Sequence, residues 1–294
     1  MPRPVPAVLS IAGSDSGGGA GIQADLKAFA RCGVHGMTAI TALTAQNTLG
    51  VTAVHAVPGD FVVEQVRAVV EDMGVDAVKI GMLGTAETVA AVDAALDLLA
   101  PGTPIVIDPV MVAESGAILL DEPARSALVA TLLPRATVIT PNLPEARVLV
   151  GAAGGLGADA QAPGGPDAAG GPGEAEALAR ALHRLGPAVA VVTGGHRAEA
   201  TDVLFDGDEI HEIAGERYPD GAAHGSGCTH SSALAAHLAL GRTPLEAARA
   251  ARAIAAAAVR DGLRGLGRGP GPVDVFDLTR ALAPGAHELR VPGV

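Results

Sequence analysis

Apolar residues in this chain fall into short β-branched runs separated by longer stretches in which they recur every three or four positions. The runs are PAVLSIAG, MTAITAL, VTAVHAV, DAVKIGM, TPIVIDPV, ATVITPN and AVAVVTGG; the stretches of helical period cover 21–32, 60–73, 85–99, 122–133 and 144–150. Strand followed by helix, repeated, predicts βαβ units whose right-handed crossovers gather most strands into one parallel sheet, with the ligand crevice at the carboxyl ends of the strands. TDVLFDGDEIHEIAGERY alternates around Asp206, Gly207 and Asp208 and predicts a hairpin near a sheet edge. A helix is expected behind Cys228, a second from Thr243 to about Gly262 and a short final one after Val273. Residues 152–173 are nearly all Ala, Gly and Pro and bury too little to order themselves, so a flexible surface insertion within one domain spanning 1–294 is expected.

Composition agrees with an α/β fold. Hydrophobic residues make up 49% of the 294 residues but aromatics only 2%, so the core is aliphatic, as in parallel sheets covered by helices. A net charge of -12 excludes a broad basic surface for nucleic acid and leaves room for one phosphate site built from backbone amides. Two cysteines, Cys32 and Cys228, are too few for a disulfide framework or a zinc site, which points to a reducing compartment. With no cleavage-type leader and no run of 18 apolar residues, a cytoplasmic protein with no membrane partner is expected. Lys27 and Lys79 are the only lysines, which singles out each of them.

Two glycine-rich turns compete as phosphate sites. GSDSGGGAGIQADLK, residues 13–27, offers Gly19, Gly21 and Ala24 in dinucleotide-like spacing, but TAITALTAQN brings Gln46 where a ribose-binding acid would stand, and no Gly-Lys-Ser/Thr ending follows. Glycines there let backbone approach a small substrate, while Asp25, one turn into the helix, is read either as turning into the pocket or as a solvated helix residue. The second turn, HGSGC, places Gly225, Ser226, Gly227 and Cys228 at a helix start, where unpaired N–H groups and the helix dipole favour an anion. Asp108 in IDPVM, and Asn142 and Glu145 in TPNLPEA, also fall at strand ends. Asn and Glu three apart suit metal-bound waters or phosphate oxygens, and equally an N-cap with a first-turn acid.

AGSDSGGGAGIQADLK, TALTAQNT, KIGML, DPVM, TPNLPEA, GGH and HGSGCT occur in this order over residues 8–240. Together they closely resemble the hydroxymethylpyrimidine/phosphomethylpyrimidine kinases of thiamin biosynthesis, in the ribokinase-like superfamily. The resemblance implies a three-layer α/β sandwich with a mainly parallel central sheet. It also implies an ATP- and Mg²⁺-dependent kinase acting on 4-amino-5-hydroxymethyl-2-methylpyrimidine and then on its monophosphate. On this likeness Gln46 hydrogen-bonds the pyrimidine, with Gly13, Asp25, Met82 and Val110 forming its pocket; a Gln amide carries both donor and acceptor and so matches an aminopyrimidine edge.

Phosphoryl transfer is mostly positioning and charge stabilisation, which makes Gly225, Ser226, Gly227 and Cys228 the expected N–H cradle. Cys228 stands where many sugar kinases of the superfamily carry an aspartate base. A helix N-terminus lowers a thiol's pKa, so a thiolate base is expected in preference to a packing residue. Asp108, Asn142 and Glu145 arrange the phosphates, and Asp108 and Glu145 hold Mg²⁺ through water. The helix from 243 and the segment Gly194 to His196 flank the adenine, His196 without a catalytic part. The likeness further implies a homodimer and, with no fused synthase-like segment, a kinase standing alone.

The chain departs from the family at Thr193 and Glu114, where lysines are common, and at AAHGSGC, where Asn-Thr-His-Gly-Thr-Gly-Cys is common. Either cationic help at the phosphates comes from an arginine, or turnover is slower or the substrate preference different. The alternatives are a pyridoxal or pyridoxine kinase and, from another class, a non-catalytic pyrimidine-binding protein.

Overall fold

The computed structural model describes residues 4–113, 116, 118–153, 173–194, 200–219 and 221–281. The expected insertion therefore lies outside the described residues apart from its two ends, as do His196 and Glu114. Nine strands form one sheet: β1 (Ala7–Asp15), β2 (His35–Asn47), β3 (Gly50–Ala56), β4 (Ala77–Ile80), β5 (Ile105–Ile107), β6 (Val138–Ile139), β7 (Val189–Val192), β8 (Asp202–Phe205) and β9 (Ile210–Ile213). Their order is β3-β2-β1-β4-β5-β6-β7-β8-β9. The strands from β2 to β7 in that order run parallel, while β3, β8 and β9 pair antiparallel at the two edges.

β1 and β4 are buried through their centres because helices cover both faces of the sheet, which explains their unbroken apolar runs. On one face pack α2 (Gly59–Asp72), α3 (Ala86–Leu96), α4 (Glu122–Ala127), α5 (Leu143–Ala152) and α6 (Glu174–His183), through residues such as Val66, Val92, Leu128, Leu149 and Leu182. On the other lie α1 (Gly21–Arg31), α7 (Ser226–Ala239) and α8 (Pro244–Arg260), through Phe29, Leu234 and Ala251. The α/β three-layer sandwich with a mainly parallel sheet is the architecture expected. α4 continues through a π segment, Leu128–Leu132, and a short 3-10 turn, Leu133–Arg135; α9 (Leu278–Ala281) follows Val273 as expected.

β5 and β6 are shorter than their apolar runs. Pro104 precedes Ile105, Pro109 follows Asp108 and Pro141 follows Thr140, and each removes an N–H that a longer ladder would need. The same prolines turn the chain out at the carboxyl ends of the strands. Order reverses at β1, which has β2 on one side and β4 on the other, so a crevice opens above β1 and β4. Gly13 and Met82 meet there: a Cβ on Gly13 would fall 2.4 Å from the Met82 methyl.

Candidate active site

α5 starts with a capping box. Asn142 accepts the Glu145 N–H at 2.9 Å and Glu145 Oε2 accepts the Asn142 N–H at 3.0 Å, so the reading of this pair as N-cap with first-turn acid holds, and both side chains are committed to backbone. Burial pushes the Glu145 carboxyl up to about 8, and the neighbouring Asp108 charge adds to the shift; a second backbone N–H, from Met111, reaches the same carboxylate. Burial likewise holds Asp108 above the usual carboxylate range, against the pull of Lys79. Two carboxyls that repel one another at the strand ends fit a divalent cation, and Glu145's engagement with two N–H groups leaves a water-mediated contact as its way of holding one. Among the described residues no three His, Cys, Asp or Glu side chains cluster into a closed metal cage.

α7 begins at the carboxyl ends of β4 and β5. Its N-cap Gly225 takes φ 85°, a left-handed conformation that glycine adopts freely. The first-turn N–H groups of Gly227 and Cys228 have no partner within the helix. The Ser226 N–H, expected in the cradle, instead donates to the Ala223 carbonyl at 2.9 Å; this correction follows from the tight turn that sets up the helix start. Ser231 donates to Asp108 Oδ2 at 3.0 Å and ties the second turn of α7 to the end of β5. A Cβ on Gly227 would lie 3.9 Å from that same carboxylate oxygen.

Beneath the cradle lies an ion pair that pattern reading passes over. Lys79, in β4, and Asp25, in α1, are both fully buried and 3.0 Å apart. Asp25 also accepts from Ser10 at 2.6 Å and Ser232 at 2.7 Å, so both of its oxygens are satisfied. Of the two readings of Asp25, the solvated one is overturned, and the pocket reading is corrected: the carboxylate sits under the site, sealed from solvent, because a buried ammonium needs a counter-ion.

At Cys228 packing opposes the helix terminus. The helix terminus was expected to lower its thiol, yet burial pushes it up to about 12; Lys79 pulls it down, while Asp25 and Asp108 add to the rise.

The glycine loop, whose spacing only resembles a dinucleotide motif, packs against the start of α7. Asp15, at the end of β1, accepts N–H groups from Gly17 at 2.8 Å, Gly19 at 3.0 Å and Ala20 at 2.9 Å, so the loop wraps its own carboxylate. Lys27 donates to the Gly18 carbonyl at 2.7 Å. The Gly21 N–H is directed at the Cys228 sulfur, which brings the start of α1 against the start of α7.

Gln46, at the end of β2, accepts from the Thr44 hydroxyl at 3.0 Å, which fixes the orientation of its side chain. Val110 follows Asp108 in a tight turn, its N–H donating to the Asp108 carbonyl at 2.8 Å. Thr193, at the end of β7, bridges to Asn142. Between α8 and the segment that follows β9, an open cavity of about 400 Å³ is bounded by Gly215, Tyr218, Arg249, Arg252 and Ala256. Arg252 donates to the Ala200 carbonyl and stands 3.9 Å from Asp202, whose carboxylate accepts the Gly194 N–H at 2.7 Å.

A family model described as phosphomethylpyrimidine kinase matches residues 15–274. A hydroxymethylpyrimidine/phosphomethylpyrimidine kinase of Rhizobium meliloti is 47% identical over 271 residues, covering 91% of this chain and 96% of that protein. Among solved structures, a pyridoxal kinase of Staphylococcus aureus in complex with ADP is similar with a TM-score of 0.80 at 32% identity, over 95% of this chain and 96% of that one. A phosphomethylpyrimidine kinase of Clostridium difficile is similar with a TM-score of 0.70 at 37% identity, over 84% and 96%. The motif resemblance and the ribokinase-like fold expected from the sequence agree with these likenesses.

Proposed function

This chain belongs to the phosphomethylpyrimidine kinase family, and on that premise we propose that it transfers the γ-phosphoryl group of ATP to the hydroxymethyl group of an aminopyrimidine, and then to the resulting monophosphate. The observation that carries the reading is the seating of an open helix start, α7, over a buried cluster of Lys79, Asp25 and Asp108 at the strand ends. Such a start offers preorganised N–H donors where charge develops, and a buried ammonium beneath it strengthens the field without competing for substrate.

In this reading the pyrimidine lies in the crevice over Gly13 and Met82, with Val110 beside it and the Gln46 amide on its edge. The phosphoryl group in transit is held by the N–H groups of Gly227 and Cys228. Cys228 packs its neutral thiol beneath the transfer point, and Gly225 gives the turn its shape. Mg²⁺ would be held through water by Asp108 and Glu145 and would neutralise charge on the phosphate oxygens. Asn142 fixes Glu145 for that task. The cavity flanked by α8 takes the nucleotide base, and Arg252 supplies the positive charge that Thr193 does not.

Among the described residues no helix is long and apolar enough to cross a membrane, and the two cysteines are free thiols. The edge formed by β2 and β3 leaves Leu43, Leu49 and Val54 exposed, which supports a homodimer paired there.

The test is ADP release by the purified protein with Mg²⁺ and ATP, run in parallel on hydroxymethylpyrimidine, its monophosphate and pyridoxal. Turnover on both pyrimidines is expected. Turnover on pyridoxal alone would replace the substrate in this reading, an outcome given weight by the similarity to pyridoxal kinase structures.

A further inference from the structure

We propose that His224 and Asp15 form a positioning pair that sets the separation between the glycine loop and the phosphate cradle, so that turnover depends on it while substrate binding does not. The inference rests on the kinase reading above. His224 is the residue before the N-cap of α7, and its Nε2 lies 3.3 Å from Asp15 Oδ2, a side-chain contact made across 209 positions of sequence. Asp15 is 3% exposed, and the same oxygen gathers the Gly19 and Ala20 N–H groups. One carboxylate oxygen thus holds the loop with two backbone donors and the cradle with a third donor, from the imidazole, while Oδ1 takes the Gly17 N–H.

The backbone between them has no slack. A Cβ on Gly225 would fall 1.8 Å from the Gly19 carbonyl oxygen, and a Cβ on Gly19 would fall 2.3 Å from the His224 ring and 3.1 Å from Pro272. Gly19 is therefore clamped between the His224 ring and the Gly225 backbone. The histidine is itself tied from behind, its carbonyl accepting the Val273 N–H at 3.1 Å. Moving His224 would move both the loop and the first turn of α7.

The loop continues from β1, which carries Gly13 in the acceptor crevice, whereas the cradle carries the group being transferred. Transfer needs the reacting atoms about 3–3.5 Å apart and aligned, and a displacement of about 1 Å can cost on the order of 100-fold in rate. The crevice walls Gly13, Met82 and Gln46 belong to the strand ends and stay in place without the imidazole. Asp15 keeps its three backbone donors when His224 is removed, so no buried carboxylate is stranded.

The experiment uses the full chain with His224→Ala and His224→Gln, measuring kcat, KM for hydroxymethylpyrimidine and for ATP, and Tm. The expected result for His224→Ala is a kcat lower by about 10- to 100-fold with both KM values within about threefold of wild type. His224→Gln, whose amide can donate to Asp15, is expected to recover at least about tenfold of that loss. A His224→Ala kcat within about threefold of wild type overturns the proposal, as does a His224→Gln protein with wild-type Tm and no recovered kcat. Silence of the wild-type protein on the pyrimidine with turnover on pyridoxal would instead overturn the substrate assignment, and the variant ratios would then be read on pyridoxal.

Discussion

The Lys79 ammonium lies 3.0 Å from the Asp25 carboxylate with neither side chain reaching solvent. Removing one partner strands the other charge in the core, so Lys79→Met is expected to cost about 3–5 kcal/mol in urea unfolding. Lys79→Met combined with Asp25→Asn should regain part of that loss, since no net charge is then buried. A single-variant cost under about 1 kcal/mol would mean that water reaches the pair.

Cys228 has a thiol pushed up to about 12 by burial. In a Cys32→Ser background, iodoacetamide alkylation of Cys228 should therefore keep rising with each pH step through pH 10 and not level off near neutrality, because only the thiolate reacts. A plateau below pH 8, read by mass spectrometry, would restore the thiolate base expected from the helix dipole alone.

Glu145 has its carboxyl raised to about 8, chiefly by burial. Between the unfolded value near 4.5 and 8 the native state holds a proton that the unfolded chain has lost, so this group's contribution to stability falls as pH rises through that window. Glu145→Gln should abolish that part of the slope: the variant gains on the wild type as urea unfolding is moved from pH 5 to pH 8.5. Parallel pH dependences for the two proteins would contradict the buried, protonated carboxyl.

Gln46→Ala should raise KM for the pyrimidine by up to about tenfold, the worth of one good hydrogen bond, and leave KM for ATP nearly unchanged. An effect on ATP alone would mean that the two sites have been exchanged.

Local signals made the fold legible, and the strand-end positions of the candidate site with it. Apolar runs marked the parallel strands, and Asn142 with Glu145 announced a helix start, because a capping box lies within four residues. What escaped depends on contacts distant in sequence. Lys79 stood out only as one of two lysines, without a role, since its counter-ion lies 54 positions earlier, and the same distance left Asp25 with two readings. At Cys228 the helix dipole is visible locally, whereas the packing that raises the thiol is not. The glycine loop looked like a failed dinucleotide motif; nothing in its spacing tells that its anion is Asp15, already inside it.

With Lys79 sealed in the core and Lys27 holding the Gly18 carbonyl, the chain presents very little amine chemistry to its surroundings. Amine-directed dyes, cross-linkers and immobilisation surfaces would be confined largely to the amino terminus and to Lys27, beside the glycine loop. Conjugates of this protein should consequently be nearly uniform in attachment point, and a slow loss of activity during labelling would report on the loop.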